Sequence, residues 1–148
     1  MNGQISFKLE KNEIIRGYKS FETILNDSKQ FRTNLLTGFL KANKISLLTR
    51  TSPQNDIKVG FIISKKKFRK SYKRNKLRRL LKESFRLNKH IYSEEVKSYS
   101  TRLLIGLNTS PELMAVKEEI ILNFNKLSVE MEKLLRQVTN YLNNKRDN

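Results

Sequence analysis

The side chains with the clearest chemical use are the cations gathered between Lys65 and Arg86. This segment reads Lys-Lys-Lys-Phe-Arg-Lys-Ser-Tyr-Lys-Arg-Asn-Lys-Leu-Arg-Arg-Leu-Leu-Lys-Glu-Ser-Phe-Arg. Ammonium and guanidinium groups bind phosphate oxygens, and the planar fork of arginine matches them best. The segment therefore favours the binding of a polyanion.

The sequence from Arg74 to about Lys89 predicts a helix with two unlike faces, because each residue turns the helix by about 100°. The apolar face is formed by Leu77, Leu80, Leu81, Ser84, Phe85 and Leu87. The other face is formed by Arg74, Asn75, Arg78, Arg79, Lys82 and Arg86, with Glu83 near its border. Like charges four residues apart repel, so such a row makes more sense if a polyanion neutralises it. The plainer alternatives are a merely solvated charged face and, for Asn75, a local helix cap.

Composition supports a polyanionic partner and argues against several other functions. The 148 residues include 31 Lys and Arg against 14 acids, a formal charge of +17, with no Cys and a single His. The chain has almost none of the Cys and His residues that a metal site built on them, or catalysis by a nucleophile and its base, would need. No apolar run approaches the roughly 18 residues of a membrane span, and the first residues form neither a signal nor a transit peptide. We expect a cytoplasmic nucleic-acid-binding protein with no membrane partner, although composition does not separate RNA from DNA.

The chain is predicted to form one domain over 1–148, with a core over about 15–141 and frayed termini. In chain order, the predicted elements are a helix over 20–28, strands within 31–50 (apolar stretches 35–40 and 45–48), a turn over 51–56, a strand over 58–64, a connector over 65–73, the basic helix, a strand over 101–107, a long helix from Pro111 and a polar tail over 143–148. Strands that flank a helix, with helices at both ends, favour a two-layer α/β sandwich in which 59–64, the basic helix and 101–107 form a β-α-β crossover.

Two ordered stretches follow one another in the basic part of the chain: Ser64-Lys65-Lys66 and Lys73-Arg74-Asn75-Lys76-Leu77-Arg78-Arg79-Leu80-Leu81-Lys82-Glu83-Ser84-Phe85-Arg86. Together they resemble the signature of the bacterial ribonuclease P protein component. In that family a strand ends in Ser-Lys-Lys, and after a short connector a helix opens with Arg-Asn-Arg and ends in Arg-Glu-Ala-Phe-Arg. The resemblance covers roughly 15–141. Lys76 stands where the family usually has Arg, and Arg78 where it usually has Lys. The connector 67–72 is about one residue longer than usual and lacks the common Gly and Ala-Val, and the last helix looks longer than typical.

The resemblance implies an α+β fold with a central, mostly antiparallel sheet and a left-handed β-α-β crossover, against the general right-handed rule. It implies the protein subunit of ribonuclease P, which assists endonucleolytic removal of the 5′ leader of precursor tRNA. Catalysis is expected in the RNA subunit, with Mg²⁺ held mainly by that RNA and the substrate, so no catalytic or metal-binding residue is assigned to this chain. The expected partners are the catalytic RNA and precursor tRNA, with no obligate protein partner.

The same resemblance assigns two sets of binding residues. The RNA subunit is expected to contact Arg74, Asn75, Lys76, Arg78, Arg79, Lys82 and Arg86. A cleft between the first helix and the sheet is expected to bind the leader through Phe21, Leu25, Phe39, Lys65 and Lys66. Aromatic rings can stack on unpaired bases while lysines follow the backbone. Ordinary core packing is an equally open interpretation of Phe21 and Phe39, and Leu25 has no ring where the family commonly has an aromatic residue.

Two alternative functions stay open from the sequence. A basic ribosomal or ribosome-assembly protein without nuclease activity explains the size, charge and fold, but not the ordered signature. A self-sufficient protein nuclease would need a cluster of carboxylates or histidines, whereas the acids here are scattered, as in Glu94-Glu95 and Glu118-Glu119.

Overall fold

The computed structural model describes residues 13–15, 17–44, 57–93 and 99–146. The first half of the chain forms α1 (Tyr18–Asn26), β1 (Lys29–Arg32), β2 (Leu36–Lys44) and β3 (Ile57–Ile62). The second half forms α2 (Ser71–Asn88), α3 (His90–Ser93), β4 (Tyr99–Leu107), α4 (Pro111–Met114), α5 (Glu118–Ile121) and α6 (Phe124–Arg146). The apolar stretch 45–48, the turn 51–56, residues 1–12 and residues 147–148 lie outside the described residues.

The four strands form one sheet in the order β1-β2-β4-β3. The pairs β1–β2 and β2–β4 are antiparallel, whereas β3 and β4 are parallel and adjacent. Parallel neighbours need a crossover connection, and α2 supplies it. The predicted α+β class, the mostly antiparallel sheet and the β-α-β unit are therefore confirmed, while the left hand of the crossover stays a prediction.

The main core lies between one face of the sheet and the helices α2 and α6. Successive residues of a strand point to opposite faces, so Leu103 and Ile105 of β4 enter this core while Leu104 does not. Leu77, Leu81 and Phe85 of α2 are buried against it, which confirms the predicted apolar side of the basic helix. The cationic side of α2 consequently faces away from the sheet.

The opposite face of the sheet, called the open face below, is covered only in part. Ile15 and Ile24 pack with Leu104 in a second, smaller cluster, against which Phe21 and Phe39 lie half-buried. Gly60 makes this packing possible, because a β-carbon there would lie 2.7 Å from Leu104 Cδ2 and 3.1 Å from Phe21 Cε1. The short helix α1 therefore sits close to the sheet and leaves room on both sides of itself.

The predicted bounds of three helices were wrong. Helix α1 spans Tyr18–Asn26, so it begins and ends two residues before the predicted range 20–28. Helix α2 begins at Ser71 rather than Arg74, because the N–H groups of Lys73 and Arg74 already donate to the carbonyl of Lys70 at 3.1 and 3.2 Å. Helix α6 continues to Arg146, so residues 143–146 belong to a helix and not to a polar tail.

The single long helix predicted from Pro111 is also wrong, since the chain forms three helices in this region. Ser110 caps α4 by accepting a hydrogen bond from Leu113 N–H at 3.3 Å, and Asn123 caps α6 by accepting from Lys126 N–H at 3.0 Å. Such capping side chains compete with helix continuation and start new helices. Apolar residues at helical spacing across 116–121 concealed these breaks. The polar edge strand β1 begins at Lys29, two residues before the region in which strands were predicted.

A buried acid fixes the turn between β1 and β2. Glu130 of α6 is 6% exposed, and its Oε1 accepts a hydrogen bond from Leu35 N–H at 2.8 Å. Burial by itself raises the pKa of Glu130, but hydrogen bonds from Thr33, Leu35 and Lys133 outweigh burial and bring the pKa below its ordinary value. The charged form of Glu130 therefore stabilises the fold.

Replacing this acid by Glu130→Gln should lower the free energy of unfolding by about 1–3 kcal/mol near neutral pH, because the turn loses a charged acceptor. Since the folded pKa lies below the ordinary value of 4.5, this stabilisation is fully present above that pH and is lost as the pH falls further. Urea unfolding should show that the difference in unfolding free energy between wild type and Glu130→Gln is smaller at about pH 3 than at about pH 7. Glu132→Gln, at an exposed surface pair with Arg136, is the matched control and should cost less than about 0.5 kcal/mol. A difference in unfolding free energy that does not change with pH would contradict the stabilising role of the charged form of Glu130.

Candidate nucleic-acid interface

The connector between β3 and α2 is fixed by its own cations. Lys67 Nζ donates to the carbonyl oxygens of Met114 at 2.9 Å and of Val116. Lys73 Nζ pairs with Glu118 Oε1 at 2.6 Å, and this hydrogen bond raises the pKa of Lys73. The connector is thus attached to the α4–α5 segment, and these two lysines have structural partners.

Arg74 also shapes the connector. Its Nη1 donates to the carbonyl oxygens of Phe68 at 3.0 Å and of Arg69 at 2.6 Å. Phe68 is fully buried, so Arg74 links the start of α2 to a segment that is anchored in the core. The predicted contact of Arg74 with RNA stays a prediction, and the structure adds a positioning role to it.

The outer side of α2 presents most of the predicted cations to solvent. Lys76, Arg78 and Arg79 are exposed, and Lys82 is half-buried. Asn75 does not cap this helix, since the helix begins four residues earlier; its Oδ1 instead accepts from Arg78 Nη1 at 3.0 Å. Together these four cations form what is called the α2 cationic face below: Lys76, Arg78, Arg79 and Lys82.

One acid interrupts this side of the helix, which corrects the expectation that Glu83 lies at its border. Glu83 is exposed and ion-paired with Arg86, whose Nε lies 3.0 Å from Glu83 Oε2. Their shared hydrogen bond lowers the pKa of Glu83 and raises the pKa of Arg86. Part of the charge of Arg86 is therefore balanced within the helix, while Lys76 and Arg79 line a shallow depression of about 440 Å³ beside Lys82.

The residues predicted to bind the leader are brought together only in part. Phe39 and Lys66 line the same cavity of about 310 Å³ on the open face, together with Ile62 and Ser64. Phe21 lies over Gly60 and belongs to the small cluster of that face. Leu25 is 43% exposed on α1, and Lys65 is exposed on the connector; neither lines the cavity that Phe39 and Lys66 share.

A row of cations on the open face was missed by sequence reasoning. Lys41 of β2 pairs in register with Arg102 of β4, and Arg102 pairs in register with Lys58 of β3. All three line a cavity of about 460 Å³ between the sheet and α1, where Ser20 and Thr23 complete its wall. The available signal was Arg102, a cation at an alternate position of a strand that otherwise reads as buried. Lys41, Arg102 and Lys58 are called the strand row below.

The acidic side chains of the described residues are scattered over the fold. Within 13–44, 57–93 and 99–146, apart from the undescribed Arg16, no three Asp, Glu or His side chains come together as metal ligands. Glu118 and Glu83 are instead paired with Lys73 and Arg86. In the same part of the chain, no helix has both the length and the apolar character needed to cross a membrane.

Comparison with known proteins agrees with this geometry. The family model described as ribonuclease P matches residues 9–139. The chain belongs to the ribonuclease P protein family. The ribonuclease P protein component of a Prochlorococcus marinus strain is 30% identical over 126 residues, which cover 82% of this chain and 95% of that protein.

Solved ribonuclease P proteins share the fold. The Staphylococcus aureus protein superposes with a TM-score of 0.59 at 14% identity, covering 86% of this chain and 96% of that one. The Thermotoga maritima protein gives a TM-score of 0.58 at 19% identity, covering 79% and 92%. As a ribonuclease P protein component, the chain is part of an endoribonuclease holoenzyme with an RNA partner. Membership in this family favours that function over the ribosomal alternative.

Lys41 should lower stability in the free protein, because like charges directly opposite one another on a sheet repel and Lys41 lies opposite Arg102. Lys41→Gln should therefore raise the free energy of unfolding by about 0.2–1 kcal/mol in dilute buffer. At about 1 M salt, where the Debye length falls to about 3 Å, the gain should vanish. Denaturant unfolding at both salt levels measures this, with Lys126→Gln on the exposed surface of α6 as the control. A loss of stability in dilute buffer would show that Lys41 has a favourable partner instead.

Proposed function

We propose that the α2 cationic face binds the catalytic RNA subunit of ribonuclease P, while the open face binds the 5′ leader of precursor tRNA in the cytoplasm. One observation supports this division above all others: the two cationic surfaces lie on opposite sides of the sheet. Helix α2 packs on the main core and turns its cations outward, whereas the strand row lies beneath α1 on the other face. A protein with this arrangement can contact two RNA molecules at once.

The α2 cationic face has the properties of a phosphate-binding surface. Lys76, Arg78 and Arg79 are exposed, and for these three side chains no ion pair with an acid is found within the described residues. Neutralising phosphates with such side chains releases counterions from the RNA, which drives binding in a salt-dependent way. The connector lysines and Arg74 hold the start of this helix in place, so the face is formed before RNA binds.

The open face has the properties of a single-strand groove. The strand row offers three adjacent cations for a backbone, and strands lie about 4.8 Å apart, so the row extends about 10 Å across the sheet. Phe21 and Phe39 are half-buried and offer partly exposed ring surfaces beside it. Cations that follow a backbone beside aromatic surfaces bind single strands with little sequence preference. This suits leaders of differing sequence.

In this proposal the chain supplies no general base or nucleophile. Hydrolysis takes place in the RNA subunit, and Mg²⁺ is held by that RNA and the substrate. The protein lowers the electrostatic cost of bringing two polyanions together, so it reduces the demand for added salt and Mg²⁺. The direct test is reconstitution with a bacterial ribonuclease P RNA at low Mg²⁺, followed by an assay of precursor tRNA cleavage. Cleavage by the protein without RNA would overturn the proposal.

Replacing Lys76, Arg78 and Arg79 together by Ala should weaken binding to ribonuclease P RNA by roughly tenfold or more at about 0.15 M salt. The slope of log affinity against log salt should become shallower by about 2–3, because three phosphate contacts are lost. Filter binding across a salt series measures both quantities. The matched control removes the same charge from exposed residues just before α5 and on α6: Lys117, Lys126 and Arg136. Equal effects of the two triple variants would show that only net charge matters.

Replacing Lys41 and Lys58 together by Ala should weaken binding of precursor tRNA to the reconstituted holoenzyme by roughly tenfold, since two backbone contacts to the leader are lost. Mature tRNA, which has no leader, should bind both proteins equally. Equilibrium binding with the two tRNA ligands separates the leader contact from the rest of the complex. If the variant loses the same affinity for precursor tRNA and for mature tRNA, the strand row does not contact the leader.

A further inference from the structure

Tyr72 is the one exposed aromatic residue among those whose side chains the structure describes. Its exposed fraction is 63%, whereas Phe68 and Phe85 are buried and Phe21, Phe39 and Tyr141 are half-buried. Within the described part of the chain, its ring makes no hydrogen bond and no contact with another ring. The ring therefore contributes little to the packing of the fold.

The position of Tyr72 places this ring on the RNA side of α2. The helix begins at Ser71, so Tyr72 is helical and not part of the connector. Residues four and seven positions later share a helix face, and here they are Lys76 and Arg79. Tyr72 thus lies at the N-terminal end of the α2 cationic face, one turn before its first cation.

The segment that carries Tyr72 is firmly held. Lys73, the next residue, is paired with Glu118, and Arg74 donates to the carbonyls of Phe68 and Arg69. A ring on a fixed helical turn loses little conformational freedom on binding, because only its own two side-chain angles are ordered. Tyr72 is therefore presented to a partner at low entropic cost.

We propose that Tyr72 stacks on an unpaired base of the RNA that binds the α2 cationic face. Aromatic rings stack on splayed-out bases, whereas bases inside a duplex are already stacked and offer no open face. The cations of the face neutralise phosphates around such a base, and Tyr72 adds an apolar contact that they lack. This inference rests on the proposed function, since it requires that α2 binds RNA.

The chain contains no tryptophan, so Tyr72→Trp introduces a single indole at the proposed contact. Titration with a bacterial ribonuclease P RNA transcript should quench its fluorescence strongly and saturably, because a stacked base quenches indole. Val129→Trp, at an exposed position of α6, is the matched reporter and should change little. Equal or absent quenching at position 72 while the transcript binds would overturn the inference.

Affinity gives a second, independent measurement on the full chain. Tyr72→Ala should raise the Kd for the transcript by about 5- to 100-fold, whereas Tyr72→Phe should keep wild-type affinity because stacking needs the ring alone. The salt slope should stay the same in both variants, since no phosphate contact is removed. Their thermal midpoints should match wild type because the ring is exposed.

The two proposals fail in different ways. If wild-type protein binds the transcript with a steep salt dependence but Tyr72→Ala binds equally well, the stacking contact is wrong and the function of α2 stands. If the Lys76, Arg78 and Arg79 variant also binds like wild type, the proposed RNA face itself is wrong and the stacking contact falls with it.

Discussion

The burial of β4 on both of its faces is the constraint on which the rest of the structure depends. This strand lies between β2 and β3 and pairs with both along its length. Leu103 and Ile105 point into the main core, and Leu104 points into the small cluster beneath α1. Because alternation sends neighbouring residues to opposite faces, one strand holds α2 on one side and α1 on the other. The separation of the two cationic surfaces follows from this arrangement.

The two surfaces differ in what surrounds them. The α2 cationic face lies on the outer side of a helix and is open to solvent, since the other side of that helix packs on the core. The strand row lies in a cavity, because α1 covers the sheet beside it and Gly60 lets α1 come close. An open row of cations on a helix can be reached by a large folded RNA, whereas a covered groove admits a flexible single strand more readily than a duplex. Shape and charge therefore favour the same division of partners.

How far the sequence predicted this fold depends on the range over which each signal acts. The basic helix and the strands around Val59 and Leu103 carried their own periodicity, so they were predicted nearly correctly. The breaks at Ser110 and Asn123 were missed because capping side chains act locally against a helical apolar pattern that continues across them. The strand row could not be predicted, since strand pairing brings together Lys41, Lys58 and Arg102 from three distant segments. The pairing of Glu83 with Arg86, by contrast, could have been predicted, since residues three apart on a helix are neighbours. The assignment of individual residues to RNA subunit or leader stays a prediction.

The distribution of acids explains how so basic a chain keeps both a stable fold and a binding surface. A charge of +17 opposes compaction, so acids that hold parts of the scaffold together matter for its stability. Glu118 holds the connector through Lys73, and Glu130 holds the β1–β2 turn through Leu35. The acid that lies among the outward cations of α2, Glu83, is engaged with Arg86 and leaves Lys76 and Arg79 to solvent. Glu118 and Glu130 thus stabilise the scaffold, while Lys76 and Arg79 keep their charges exposed. Repulsion that remains at the surface is then relieved by salt ions or by the phosphates of RNA, which links the charge excess of the free protein to its affinity for RNA.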